Sequence, residues 1–356
     1  MNKKLIALAV AGACVAPAAM AQTANPVTLY GRVYVTLESV ESKGAAGAPR
    51  RTRIQDQASL LGVRGTEDLG GGLKAFFQLE TAFKPDQNDT TFAARNSGVG
   101  LQGGWGSVLI GRWDMPYKTA TIAVDPFGDL TIGGITIANN DQGNFDRRDQ
   151  NVMQYWSPSF GGFAFRLAGT ANEGKGCTTS GTPPVTTCVN PRDYGASATY
   201  TQGPIYVFYA YEEHKDPSAT VSSEDGNSVG GSFAFGPIKL GALYGEYKRT
   251  AVSGAGFDKR KSWLGNIVWT FGNNQLIYQY QNSEGGQRST AAKPECDVNA
   301  IGYQYNFSRR TFFLAQYTKI DNNDAANCGN AGTAFGTVAV TGTDPQGVSV
   351  GLRHIF

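Results

Sequence analysis

LYGRVYVTLE, residues 29–38, is the stretch from which the prediction of the fold starts. Successive side chains of a β-strand point to opposite faces, so residue types alternate along a strand that separates two environments. Here one face would carry Leu29, Gly31, Val33, Val35 and Leu37, and the other Tyr30, Arg32, Tyr34, Thr36 and Glu38. The pattern predicts a strand with one apolar face and one face that contacts water.

Similar segments of about ten residues recur along the chain, separated alternately by short and long breaks, as in outer-membrane barrels. The short breaks are turn-like, for example GG at 103–104 and FGNN at 271–274. The spacing predicts an all-β chain that forms a sixteen-stranded antiparallel transmembrane β-barrel. The predicted strands begin near Val27, Gln55, Leu73, Phe92, Trp105, Gln150, Phe163, Arg192, Ile205, Ser228, Ile238, Lys261, Gln275, Val298, Thr311 and Gln346.

A soluble β-sandwich would also alternate, and it is the main alternative. Aromatic residues gather near the ends of the predicted strands, where they suit the headgroup region of a membrane. This distribution favours the membrane barrel. The residues are Tyr30, Trp105, Phe163, Tyr200, Trp269, Phe307 and Phe356.

The composition supports an all-β chain rich in tight turns. The chain has 46 glycines, 16 tyrosines and 19 phenylalanines, and 17% of its residues are charged. No linker-like stretch of proline, serine or charged residues divides it, so we predict a single barrel over residues 22–356.

The first 21 residues are typical of a secretory signal peptide. Lys3 and Lys4 form a basic start, residues 5–13 are apolar, and Ala19 to Ala21 form a small-residue cleavage site. Removing residues 1–21 takes away two lysines and no acids, which leaves 29 basic against 29 acidic residues (31 − 2 = 29). A net charge of about zero argues against a dedicated nucleic-acid binder, which would carry a basic patch.

Four cysteines lie beyond the signal, which agrees with an oxidising compartment. The two simplest pairings are Cys177 with Cys188 and Cys296 with Cys328, although four cysteines allow three connectivities. There is no CysXXCys spacing, and the chain has only two histidines, so we predict neither a metal site nor a cofactor.

Residues 115–149 interrupt the strand pattern. A segment this long with little regular structure is usually functional or disordered. It carries the acids Asp125, Asp129, Asp141 and Asp146. Its apolar residues predict that it is folded and packed against another part of the protein; they include Phe127, Leu130, Ile132, Ile135 and Ile137.

Two stretches carry a family resemblance. LLGVRGTEDLGGGLKAFFQLE (60–80) resembles the second hairpin of the general porins of β-proteobacteria, of the Neisseria, Bordetella and Burkholderia type, and GVSVGLRHIF (347–356) is similar to their closing strand. Other segments fit the same template in order: LYGRV (29–33), VLIGRW (108–113), DPFG (125–128) and YWSPSFGGF (155–163).

The resemblance implies a trimeric barrel in the outer membrane of a Gram-negative cell. Its third long loop, here residues 115–149, would fold inward and narrow a channel for passive diffusion of small hydrophilic solutes and ions. The implied partners are two further copies of the chain, outer-membrane lipid and lipopolysaccharide, and the barrel-assembly machinery.

A barrel of about sixteen strands leaves an aqueous channel, and charged groups at its constriction set ion preference. By alternation, Arg32, Arg64, Lys74 and Arg166 face the lumen. On the loop, Asp125 and Asp129 are the first candidates for the opposing acids, with Asp141 and Asp146 as further ones.

Arg112 does not fit simple alternation, because it shares a face with Val108 and Ile110 and would point to lipid. A β-bulge at Gly111 would turn it inward, and bulges are common near functional sites. The resembling porins carry a pore arginine here, which favours the inward position. They often also have arginine where this chain has Leu60, so we expect weak selectivity, mildly in favour of anions.

The final Phe356 follows Val348, Val350, Leu352 and His354 at alternating positions. It resembles the signal that barrel-assembly machinery recognises. An aromatic belt residue on the last strand is the simpler interpretation, and both can hold together.

Enzyme activity is not predicted, because neither His214 nor His354 stands in an arrangement that would activate a nucleophile or water. The GGGLK stretch (70–74) lacks the ending of a phosphate-binding loop. The main alternative is a substrate-specific porin with a saturable site in the lumen. Tyr34, Trp113 and Tyr206 would suit such a site.

Overall fold

The computed structural model describes residues 27–44, 47–87, 89–128, 131–134, 145–180, 185–219, 221–251, 257–285, 293–329, 335 and 340–356. The predicted signal peptide therefore lies outside the described residues and stays a prediction. The strands are β1 (Thr28–Lys43), β2 (Arg51–Asp56), β3 (Leu60–Gly70), β4 (Leu73–Lys84), β5 (Asp89–Thr91), β6 (Ser97–Gly103), β7 (Gly106–Asp114), β8 (Arg148–Trp156), β9 (Phe163–Thr170), β10 (Gly176–Ser180), β11 (Val185–Val189), β12 (Arg192–Gln202), β13 (Ile205–Ser218), β14 (Val221–Phe235), β15 (Ile238–Ala251), β16 (Phe257–Phe271), β17 (Asn274–Glu284), β18 (Glu295–Asn306), β19 (Thr311–Asn322) and β20 (Asp344–Ile355).

The strands close into one antiparallel barrel. β1 pairs with β20 on one side and with β2 and β3 on the other, so the sheet closes on itself. β2 and β3 follow successive parts of β1, and β5 and β6 follow successive parts of β4. Counting each broken strand once reduces the eighteen segments of the sheet to sixteen (18 − 2 = 16). This confirms the predicted number and order of strands.

The two strand breaks have a common cause. Ala58, between β2 and β3, has φ 56°, and Ala93, between β5 and β6, has φ 53°. An L-residue other than glycine rarely adopts this left-handed conformation, which departs from the extended backbone of a strand. Each break therefore leaves backbone groups that need partners other than a neighbouring strand.

Alternation separates the two surfaces of the wall as predicted. On β1, Leu29 and Leu37 are 62% and 51% exposed on the outside, whereas Tyr34 and Glu38 are 6% and 1% exposed on the inside. The closing strand repeats this with outward Val350 and Leu352. A closed sheet that is apolar outside and polar inside fits a membrane barrel and not a soluble sandwich.

The connections differ at the two ends of the barrel. Tight turns at Gly203, Gly236 and Gly272, each with positive φ, join strands at what we call the short-turn end. Phe356 lies at this end, where its N–H donates to the carbonyl of Gly31 at 3.0 Å and completes the pairing of β1 with β20. The opposite, long-loop end carries the hairpin of β10 and β11, which forms a separate two-stranded sheet.

The third long connection, between β7 and β8, enters the barrel. It contains helix α1 (Pro116–Thr121) and one turn of 3-10 helix (Ile122–Val124). Among the described residues no helix is long and apolar enough to cross a bilayer. Four side chains anchor the connection against inward-facing residues of the wall, and all are at most 4% exposed: Tyr117, Phe127, Ile132 and Phe145. The prediction of a folded, inward loop is confirmed; Leu130, Ile135 and Ile137 lie outside the described residues.

Candidate pore and its constriction

The inner surface of the barrel has two parts. The inner faces of β12 to β19 lie under the third loop, and we call them the loop-covered wall. The inner faces of β3 to β9, with the short-turn ends of β1 and β20, form the open wall. The two parts differ in which side chains they carry and in what those side chains bind.

The first turn of the loop is held by aromatic residues of the loop-covered wall. The hydroxyls of Tyr117 and Tyr247 are 2.7 Å apart, and Tyr206 donates to the carbonyl of Ala120 at 2.9 Å. Phe145, at the other end of the loop, stacks on His214 with ring centroids 4.9 Å apart. Both ends of the loop are therefore fixed to the same side of the barrel.

Side-chain amides of the wall hold the middle of the loop. Asn266 Nδ2 donates to the carbonyl of Val124, and Gln279 Nε2 to the carbonyl of Gly133, both at 2.9 Å. Gln281 Nε2 donates to the carbonyl of Gly134 at 3.2 Å. Irregular backbone at membrane depth needs such partners, because its carbonyls have no neighbouring strand.

The ring of Phe127 requires a glycine on the wall. A Cβ at Gly302 would lie 2.6 Å from the Phe127 ring, closer than real Cβ contacts. Phe127 also packs against Ala300, Ile277 and Leu314. The loop therefore packs on a part of the wall where a glycine leaves room for the Phe127 ring.

The loop acids make local contacts. Asp125 Oδ1 accepts the N–H of Phe127 at 3.0 Å, and Asp146 pairs with Lys118 at 3.1 Å. Asp129 and Asp141 lie outside the described residues. Asp125 is half-buried, so it contributes negative charge to the loop while shaping the turn before Phe127.

Three of the predicted bases lie on the inner face of the open wall. Arg32 Nε donates to the carbonyl of Ala58 at 2.8 Å, which satisfies the backbone at the first strand break. The Arg64 guanidinium lies 4.9 Å from the centroid of the Tyr30 ring, and that of Arg166 lies 5.0 Å from the Trp156 ring.

Lys74 shares the inner face with Phe76 and Gln78 but lies at the end of the strand, and Arg112 lies elsewhere. Lys74 is exposed beside the turn that joins β3 and β4, at the mouth of the short-turn end. Arg112 Nε donates to the carbonyl of Ala94 at 2.8 Å and so satisfies a backbone group at the second strand break. The register of β7 and β8 shifts beside Gly111, but the extra residue is on β8 and not at Gly111. β7 therefore keeps its alternation, and Arg112 stays on the face of Ile110. Arg112 adjoins a groove of about 1030 Å³ that is also lined by Val99, Ile110 and Met153, each more than half exposed on the outer wall.

Three further arginines on the inner surface were not predicted from the sequence: Arg95, Arg148 and Arg353. Arg95 Nε lies 3.8 Å from a carboxylate oxygen of Glu80, and the Arg148 guanidinium lies 2.8 Å from Asp114. The positive charge of Arg95 interacts with those of both Arg32 and Arg148, so the three form one cluster. Arg95 lies in the break between β5 and β6, and Arg148 lies where the loop ends. At both places alternation does not predict which side of the wall a side chain faces. Arg353 lies over the Phe312 ring at 5.2 Å.

Leu60, at the position of the expected family arginine, is 9% exposed and pairs in register with Arg32. An arginine at this position would therefore stand directly beside the arginine cluster.

His214 is fully buried on the loop-covered wall. Its ring nitrogens lie 2.8 Å from Glu212 and 3.3 Å from Glu224, and Phe145 covers the ring. His214 therefore contacts two carboxylates of the wall and one aromatic ring of the loop.

Both predicted disulfides are present, Cys177–Cys188 and Cys296–Cys328. The first joins β10 and β11 in an exposed hairpin. The second is buried and packs with Ile132 of the loop and Val40 of β1. The two bridges therefore fasten regions of very different burial.

Comparison with known proteins gives a consistent result over the whole chain. The profile of the Gram-negative porin family matches residues 7–325. Outer membrane porin protein 32 of Delftia acidovorans is 32% identical over 368 residues, covering 100% of both chains. Major outer membrane protein P.IB of Neisseria meningitidis is 27% identical over 348 residues, covering 93% of this chain and 98% of that protein.

Solved structures agree. An anion-selective porin from Comamonas acidovorans superposes with a TM-score of 0.81 at 28% identity, covering 93% of this chain and 100% of that chain. OmpT of Vibrio cholerae, solved in a trimer form, reaches 0.72 at 15% identity, covering 94% and 100%, which supports the fold alone.

Proposed function

We propose the following function for this chain, which belongs to the Gram-negative porin family. It is an outer-membrane porin, a channel and not an enzyme, that lets small hydrophilic solutes and ions diffuse passively. The observation that carries this function is the closed sixteen-stranded barrel whose third loop packs on one side of the lumen and leaves a charged wall on the other.

The charges of the open wall favour a mild preference for anions. Arg32, Arg95 and Arg148 form a cluster that contains the two carboxylates of Glu80 and Asp114. Three positive and two negative charges leave a net charge of +1 (3 − 2 = 1). A small net charge at a constriction biases permeation without excluding the other sign.

We place the constriction between this cluster and the loop, with Arg64 and Arg166 extending the basic surface and Asp125 and Asp129 as the facing acids. Lys74 would act at the mouth, and the predicted pore role of Arg112 remains a prediction. The related porin from Comamonas acidovorans is described as anion-selective, which supports the same sign here.

We further propose a homotrimer in contact with outer-membrane lipid and lipopolysaccharide, and recognition of Phe356 by the barrel-assembly machinery. Phe356 suits this role because it ends the closing strand at the barrel seam. The secretory signal of residues 1–21 would deliver the chain to that machinery.

Planar-bilayer recording tests the channel and its selectivity together. In a gradient of potassium chloride we expect stepwise conductance and a reversal potential displaced toward that of chloride. A reversal potential close to that of potassium would refute the basic wall, and absence of conductance by the folded protein would refute the channel.

A further inference from the structure

The open wall carries a group of aromatic side chains that passive diffusion does not require. Trp113 and Trp156 lie with ring centroids 5.4 Å apart, and Phe76 stacks on Trp156 at 6.4 Å with an interplanar angle of 27°. They come from β4, β7 and β8, and their side chains share the inner face. We call these three residues the aromatic track.

The wall is shaped to hold these rings. A Cβ at Gly100 would lie 2.5 Å from the ring of Phe76, so a glycine is needed where this ring lies against β6. Trp156 Nε1 donates to Gln154 Oε1 at 2.9 Å, and Gln154 Nε2 donates to the carbonyl of Asp114 at 2.9 Å. The orientation of the indole is thus set by hydrogen bonds as well as by packing.

A cavity of about 420 Å³ adjoins the track. It is lined by Arg64, Gln78, Gln102 and the three aromatic residues. This volume lies within the range of small-molecule sites, which combine apolar surface with a few polar groups. Arg166, on the ring of Trp156, adds a second positive charge beside the cavity.

We propose that this cavity is a binding subsite for aromatic carboxylates. The planar ring of the ligand would stack on the aromatic track, and its carboxylate would pair with the Arg64 guanidinium. Arginine suits this role because its planar donors match the two oxygens of a carboxylate. The inference rests on the proposed channel and names a class of solute that the channel would retain during passage.

Concentration-dependent block of the chloride current tests the site. Benzoate is the probe, with cyclohexanecarboxylate and acetate as controls of equal charge. Aromatic pairing adds about 0.5–1.5 kcal/mol beyond area burial, so benzoate should block at a concentration roughly two- to twelvefold lower than cyclohexanecarboxylate. Equal blocking concentrations for these two acids would overturn the assignment to aromatic ligands.

Two substitutions locate the site. Arg64→Gln should raise the blocking concentration of benzoate about tenfold, because an ionic hydrogen bond is lost. Trp156→Leu should remove the difference between benzoate and cyclohexanecarboxylate, and Trp156→Phe should retain most of it. Arg309→Gln in an exposed turn and Trp269→Leu on the outer wall are the matched controls.

Potassium chloride conductance of each variant separates the two proposals. A normal chloride current of the unsubstituted protein with no preference for benzoate over cyclohexanecarboxylate would overturn the subsite and leave the porin function standing. An equally weakened benzoate block in Arg309→Gln, or an equal loss of preference in Trp269→Leu, would also overturn it, since the effect would not be local.

Discussion

The loop-covered wall and the open wall have the same alternating pattern, yet their inward side chains make different contacts. On the loop-covered wall, Gln279 and Asn266 are at most 8% exposed and donate to loop carbonyls. On the open wall, Arg64 and Arg166 lie on aromatic rings beside the lumen. Side chains that face inward are therefore buried against protein on one side of the barrel and solvated on the other. Four experiments test this contrast.

The largest effect is expected from Phe127→Ala, which removes one of the four side chains that anchor the loop on the loop-covered wall. Phe→Ala in a packed core costs about 3–5 kcal/mol, so the middle of the loop should detach from the wall and single-channel conductance should rise. Phe307→Ala, in an exposed turn, is the matched control. Unchanged conductance in folded Phe127→Ala channels would show that other anchors suffice and that Phe127 does not seat the loop.

The two disulfides should differ in consequence. Replacing Cys296 and Cys328 by serine removes a bridge that packs with Ile132 of the loop, and we expect a loss of about 2–4 kcal/mol in the free energy of unfolding. Replacing Cys177 and Cys188 should leave barrel stability nearly unchanged, because their hairpin is a separate sheet. Urea unfolding in lipid vesicles measures both pairs; equal losses would contradict the assignment of the first bridge to the core.

On the open wall, Arg148→Gln should reduce the preference for anions. One unit charge at about 4 Å contributes about 1 kcal/mol in water, or about fivefold in relative permeability. The reversal potential in a potassium chloride gradient should therefore move toward that of potassium. Arg309→Gln is the control, and an equal shift in both variants would exclude a local role for Arg148.

The smallest effect, with opposite sign, is expected from Glu80→Gln. This change removes a negative charge from the arginine cluster, while the amide oxygen can still accept the hydrogen bond that Tyr30 now donates at 2.9 Å. The neighbouring arginine charges partly offset the lost carboxylate, so relative anion permeability should rise by about twofold or less. A shift toward potassium would contradict the charge balance assigned to the cluster.

Much of the fold could be predicted because its determinants are local. The alternation in residues 29–38 assigns both faces of the first strand, and turn residues mark the strand ends. Some predicted starts are late: β14 begins at Val221 and not near Ser228, because its long-loop end extends beyond the apolar band, where alternation in hydrophobicity fades.

The candidate site could be predicted only in part. Arg32, Arg64 and Arg166 lie in regular strands, and alternation assigns them to the inner face. Arg95 and Arg148 lie at a strand break and a loop exit, where periodicity carries no information about direction. Their importance follows from closeness to Glu80 and Asp114, which are distant in sequence.

The number of strands, their order and the lipid-facing side of most strands follow from the sequence, because successive side chains of a strand point to opposite faces. Which inward side chains are buried under the loop, and which line the open lumen, is seen only in the folded barrel. That division depends on barrel closure and on the path of one inserted segment, and both bring together residues that no local pattern connects.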